Sequence, residues 1–328
     1  MTTKFRIISL ILLFLLVSCS KRTAIGGDNI VLVLADIDVY EKYEEKLEQL
    51  FSKEIFTPVP EKRYYIEHVD LKTFSDKRYF KNILMLTDID GNGKESEFIN
   101  NMLPETLEDG IREGDYSYVF KKDIWAKKQN VLILMTSKED NLSNYLETQG
   151  NLFYDQIHNR NLELVRESLF DEFNNTEAQN YTLENYNVDI FVPHDFTVVN
   201  EGKKTKFIRF RRFMPDRWLT IIWGDYDNSI TFQENIINLR NQAGEEFGDK
   251  VKVNPEIIDF EPDNTFTENG VLIRGIWEYD LGGGPFFAHA FIKNNKLVLV
   301  DGAVFYPGND KYPFIEQLEL MAKSAKFK

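Results

Sequence analysis

Three short apolar runs constrain the fold more than anything else in the chain: residues 30–35 (IVLVLA), 82–87 (NILMLT) and 130–135 (NVLILM). A strand with one wet face alternates apolar and polar residues. An unbroken run of this length suits a strand covered on both faces, as in a sheet packed between helices. The segments between the runs fit that picture. Residues 40–51 read as a charged amphipathic helix and 95–113 as another, with further strands at 64–69 and 116–125. From Asn141 to Phe170, Leu142, Tyr145, Leu146, Phe153, Ile157, Leu164 and Leu169 recur at mixed three- and four-residue steps with gaps, which predicts a long helix that Gly150 could bend.

Residues 174–187 (NNTEAQNYTLENYN) are polar, and the composition predicts a linker there. Beyond it the pattern changes to a meander. Strands are expected at 188–192, 257–260, 271–279, 286–292 and 296–306. A hairpin of 206–213 and 217–223 should turn at Met214-Pro215-Asp216, and helices are expected at 232–246 and 313–322. The reading is an α+β protein of two α/β sandwich-like units with mostly antiparallel or mixed sheets. The expected layout is a signal peptide at 1–18, a tether at 19–28, one unit at 29–174, a linker at 175–187 and a second unit at 188–328. The halves could be a diverged repeat, although no fixed period runs through them.

The start of the chain carries an export signal: Lys4 and Arg6, an apolar run over 7–17, and the small residue Ser18. The run falls short of the roughly 20 apolar residues that span a bilayer. Leu16-Val17-Ser18-Cys19 resembles the lipobox of bacterial lipoproteins. That resemblance implies lipid on the sulfur of Cys19, cleavage before it, and acylation of the new N-terminus. Cys19 is the only cysteine of the 328 residues, so no disulfide competes for it. Ser20 stands where an Asp would favour the inner membrane in that family, which points to the outer membrane, on its periplasmic side or at the cell surface.

Loss of Lys4 and Arg6 with the signal takes the net charge from −14 to −16. So acidic a chain has no electrostatic footprint for nucleic acid, and should be repelled by anionic lipid beyond its anchor.

Arg274-Gly275-Ile276-Trp277-Glu278, Gly282-Gly283-Gly284-Pro285-Phe286-Phe287, residues 301–308 (DGAVFYPG) and Gln317-Leu318-Glu319 form the most distinctive pattern. Together with the lipobox, these motifs resemble an uncharacterised family of Bacteroidota lipoproteins, known only as a domain of unknown function. One departure is Asn309-Asp310-Lys311-Tyr312, where basic residues would be expected after the Pro-Gly. The resemblance implies localisation and architecture, and no activity, substrate or cofactor. The residues themselves predict a hairpin turning at Asn294-Asn295. That register sets Ile292 opposite Leu297, His289 opposite Val300 and Phe287 opposite Gly302, with both sheet faces apolar. The glycines at 282–284 are expected to form a tight turn that needs positive φ.

Two sets of residues are candidates for ligand chemistry. Asp88, Asp90 and Asn92 with Gly93 at position six look like the start of a calcium loop, but Ile99 holds the place of the bidentate acid. Glu95 or Glu97 could compensate only in another geometry, and an acidic turn before a helix is the simpler reading. Arg209, Arg211 and Arg274 could bind a carboxylate or phosphate, whereas pairing with Asp or Glu suits so acidic a chain better. His68, His158, His194 and His289 show no metal spacing, and His289 reads as a core histidine. No catalytic motif stands out, and no cofactor is expected beyond weak calcium. The expected function is therefore a non-catalytic binding or assembly module, with an envelope protein or the cell wall as partner. A hydrolase using scattered carboxylates is the alternative.

Overall fold

A computed structural model of the chain describes residues 21–328 apart from 56, 138–140, 171–173 and 248–249. The signal segment and Cys19 lie outside the described residues. The chain divides into two units, one made of residues up to 52 plus 64–160, the other of 53–63 plus 161–328.

In the first unit the three apolar runs are strands β1 (Ile30–Leu34), β5 (Asn82–Asp88) and β7 (Asn130–Thr136). Chain order between and around them is α1 (Ile37–Phe51), β2 (Glu54–Ile55), β3 (Glu61–Lys62), β4 (Tyr65–Val69) and α2 (Leu71–Lys77), with β2 and β3 belonging to the other unit. Then come α3 (Lys94–Asn100), α4 (Glu108–Glu113), β6 (Tyr118–Lys122) and α5 (Asn141–Phe170). The five-stranded sheet has the order β4-β1-β5-β7-β6. All neighbours are parallel except β6, which runs against β7. Alternate residues of the runs go to opposite faces. Val31, Val33, Leu84 and Leu134 meet Tyr43, Leu47, Phe153 and Ile157 of α1 and α5. Leu32, Ile83, Met85 and Ile133 meet Phe74, Ile99 and Ile111 of α2, α3 and α4. Each such side chain contributes about 1.5–3 kcal/mol by leaving water, which is why the middle of each run is apolar and polar residues (Asn82, Thr87, Asn130) stand only at the ends.

The helix expected over 95–113 is broken. The helix α3 stops at Asn100, a 3₁₀ turn occupies Glu105–Leu107, and α4 ends at Gly114 in the left-handed region. Pro104 is the physical reason, because the residue before a proline is pushed out of helical conformation. The expected tether is also different. Residue Thr23 bridges Lys127 and Ile25 bridges Phe80, while Lys21 Nζ donates to the carbonyls of Asp123 (2.6 Å) and Ile124 (2.8 Å). The chain is thus fixed to the amino edge of the sheet from Lys21 onward.

The second unit holds α6 (Thr176–Tyr186), β8 (Val188–Asp189), β9 (Thr197–Glu201), β10 (Lys206–Arg212), β11 (Asp216–Asp225), α7 (Phe232–Glu245), β12 (Lys252–Asp263), β13 (Gly270–Tyr279), β14 (Gly282–Lys293), β15 (Lys296–Phe305), α8 (Tyr312–Lys323) and β16 (Lys326–Phe327). Its main sheet has seven antiparallel strands in the order β12-β13-β14-β15-β11-β10-β9. One face (Phe210, Leu219, Phe287, Val300) packs on Ile315, Leu318 and Met321 of α8. The other (Trp218, Ile273, Phe286, Leu299) packs on Ile236, Leu239 and Ala243 of α7. The hairpin β14–β15 has the expected register, with Ile292 opposite Leu297, His289 opposite Val300 and Phe287 opposite Gly302. The two sheets differ in strand number, order and direction, so the strand orders give a repeat no support.

The polar stretch expected as a linker is helix α6. Asn175 caps it by accepting from the Ala178 N–H (3.0 Å), and Asn187 ends it at φ 57°. Only Ala178 and Thr182 of the helix are buried, so its sequence carries almost no apolar stripe. The glycines at 282–284 are not a turn either. They are paired residues of β14, opposite Trp277, Glu278 and Tyr279, and none has positive φ. Their need for glycine is steric: a Cβ on Gly284 would lie 2.1 Å from the Val304 carbonyl oxygen.

Candidate functional site

In the first unit, the carboxyl edge of the parallel strands gathers polar side chains, as sheets of this kind do where strand order reverses between β1 and β5. Asp36 follows β1 and accepts the N–H groups of Glu95 (3.2 Å) and Ser96 (3.0 Å) in the first turn of α3. Gly93 admits it, since a Cβ there would stand 2.0 Å from the Asp36 carboxylate. Burial by itself would raise the Asp36 carboxyl, but the hydrogen bonds from Ser96 and Glu95 outweigh burial and hold it below the usual carboxylate range. The place where such folds take an anion is therefore filled by the chain's own carboxylate. Nearby, Glu95 accepts from the Leu71 N–H and Asp70 from the Thr73 N–H.

The calcium-like residues lie beside this group. Asp88 Oδ1 accepts the Asp90 N–H (2.9 Å), closing a turn, and Asp90 pairs with the Arg112 guanidinium (3.3 Å), which also reaches Glu108. Asn92 is exposed. A guanidinium thus stands against the carboxylate that a cation would need. Among the described residues no group of three or more His, Cys, Asp or Glu side chains is arranged to hold a metal.

The three arginines do not converge. Arg211 clasps Asp216 through two hydrogen bonds of 2.7 and 2.5 Å. Arg274 pairs with Glu319 of α8. Arg209 is buried on the α7 face, its guanidinium 4.0 Å from the Phe247 ring centre and 4.5 Å from that of Trp218. The histidines are equally dispersed. His68 bonds the Ala35 carbonyl and stacks on Tyr40, His158 contacts Tyr64 and Tyr154, and His194 is exposed. His289 is buried with Nδ1 2.7 Å from Asp263, while its Nε2 meets no polar partner. Burial pushes the imidazole below its ordinary value, against the pull of Asp263.

Sequence reasoning missed Asp36, Asp263 and the buried pair of Arg240 with Asp301 (2.6 Å). Their partners are backbone groups or side chains far along the chain, so no local spacing announces them.

An opening lies in the second unit at the start of β14. It is a groove of about 950 Å³ lined by Lys250, Lys252, Ile276, Glu278, Tyr279 and Leu281 among others. That size suits a small ligand. Leu281 at its rim is 86% exposed.

These features define a two-unit α+β protein: a mostly parallel sheet between helices, and an antiparallel sheet with a helix on each face. Residues 24–170 match the family described as Domain of unknown function (DUF8532), and residues 175–324 match Domain of unknown function (DUF4837). Each half of the chain is thus similar to a family whose description assigns no function. No curated protein matches it. Among solved structures, the solution structure of cyanobacterial PsbP (CyanoP) from Synechocystis sp. PCC 6803 is similar over 43% of this chain and 86% of its own, at 13% identity and a TM-score of 0.30.

Proposed function

We propose that this chain is a lipoprotein of the bacterial envelope, acylated on Cys19, whose two domains bind or assemble and do not catalyse. The observation that carries the reading is the coincidence of the chain's one cysteine with the end of an apolar export run. No helix among the described residues is long and apolar enough to cross a membrane. Ser20 after the cysteine favours the outer membrane. A binding role is supported by the way the edge carboxylates are engaged. Asp36, Asp70, Asp88 and Glu95 each accept a backbone N–H, so their oxygens are engaged within the fold. At Asp36 and Asp70 those hydrogen bonds hold the carboxyl below its ordinary range, away from proton transfer.

The test is Cys19→Ser expressed in a bacterial host. The native chain should fractionate with membranes and carry the mass of added acyl groups, and the variant should lose that mass. Equal mass for both proteins overturns the anchor. Turnover of cell-wall peptides, glycans or esters by the purified chain overturns the binding role.

A further inference from the structure

We infer that the amino edge of the first unit's sheet is a membrane-facing surface that binds anionic phospholipid headgroups. This rests on the anchor proposed above, and adds to it a surface that acts whether or not lipid is attached.

Two observations meet at this edge. First, the chain enters here. The carbonyl of Arg22 accepts the Lys127 N–H (2.8 Å), Ala24 N–H donates to the Lys127 carbonyl (2.8 Å) and Ile25 N–H to that of Tyr79 (2.9 Å). Cys19 stands two residues before Lys21, a span of about 7 Å at full extension. A bilayer holding acyl chains on Cys19 must therefore lie against this edge and no other part of the unit.

Second, the edge is basic in an acidic protein. The chain as a whole has a formal charge of −14, yet segments 21–28, 76–81 and 121–128 together hold nine Lys and Arg against three Asp. Lys21, Arg22, Arg78, Lys122 and Lys127 are exposed. Arg22 and Arg78 both lie over the Tyr79 ring, at 4.2 and 5.1 Å, which puts an amphipathic aromatic among the cations as at a membrane interface. The opposite edge carries Asp36, Asp70, Asp88, Asp90 and Glu95. A bilayer at the basic edge stands more than a Debye length of about 8 Å from the opposite edge, so salt screens repulsion by those carboxylates while the basic edge acts at contact.

The test uses the chain from Ser20 to Lys328, which retains every described residue and carries no lipid. It should sediment with vesicles of mixed phosphatidylglycerol and phosphatidylcholine, and stay in solution with pure phosphatidylcholine. Arg78→Glu with Lys127→Glu should weaken that partition by about thirtyfold or more. Lys203→Glu with Lys204→Glu makes the same change in net charge on exposed residues of the second unit, and should leave most of the binding. Absence of binding to the anionic vesicles overturns the inference, as does equal loss in both variants. Because this protein is unlipidated, failure here leaves the Cys19→Ser result standing, and failure there leaves this one standing. In the acylated full chain, a fluorophore at Lys127→Cys should be quenched by brominated lipid and one at Asn92→Cys should not. The reverse pattern overturns the orientation.

Discussion

Gly302 faces the Phe287 ring, and a Cβ built on it would lie 2.3 Å from a ring carbon. The strand pairing read from Asn294-Asn295 places these two residues opposite each other, so this contact is legible in the sequence. Gly302→Ala should cost about 1–3 kcal/mol, seen as a lower urea midpoint, and Phe287→Leu in the same chain should return part of it. Gly93 is different, because the carboxylate that fills its Cβ space belongs to Asp36 far upstream and the fold alone brings them together. His289 gives a pH dependence. Its folded value is depressed below the ordinary 6.5, burial being the main cause with Lys323 adding a little, while Asp263 and Glu319 oppose. The unfolded chain therefore takes the proton more readily, and the stability linked to this residue is present above pH 6.5 and lost as pH falls through the folded value. Asp263, held below its usual range despite burial by Thr265 and His289, adds a loss of the same sign at lower pH. Denaturant midpoints between pH 7.5 and about 5 should fall for the native chain and fall less for His289→Gln.

At the scale of elements, the signature residues meet on α8. Arg274 of β13 pairs with Glu319, Arg217 of β11 donates to Gln317 (3.1 Å), and the Leu318 Cβ would lie 3.2 Å from a Cβ on Gly302. The motif that is most distinctive in sequence thus joins one helix to three strands of the sheet, β13, β15 and β11. Glu319→Gln should lower stability by about 1–3 kcal/mol, less than for a fully buried pair because Arg274 keeps some access to water. Its readout is the denaturant midpoint together with near-ultraviolet dichroism of the aromatics under α8. Elements with apolar contrast were legible: the three runs, α5 and the meander. Helix α6 was not, because two buried residues in eleven make no stripe. The break at Pro104 is hidden in the sequence because the charged residues on both sides suit a helix equally well.

For the whole molecule, sequence order and structural membership part company at 53–63. This stretch leaves the first unit after α1, returns to it at Tyr64, and belongs to the second. Glu61 accepts the N–H groups of Lys311 (2.7 Å) and Tyr312 (2.9 Å) at the start of α8, and Arg63 pairs with Glu316 (2.9 Å) while lying over the Tyr312 ring. No spacing in the sequence hints at a partnership across some 250 positions. A fragment of residues 161–328 should therefore unfold at lower urea than the second unit does within the whole chain. Trp218, Trp223 and Trp277 report on it by fluorescence, and Glu61→Gln in the full chain should reproduce part of the loss, about 1 kcal/mol for a lost cap.

The same arrangement sets an order on maturation. Ribosomes deliver the chain from its N-terminus, so Glu61 and Arg63 emerge long before the helix that will shelter them. Until residue 312 arrives, both charges stand in water with no counterpart, and closing so long a loop is entropically costly. A product truncated before that point can complete its first sheet and still display an open end to any protease it meets.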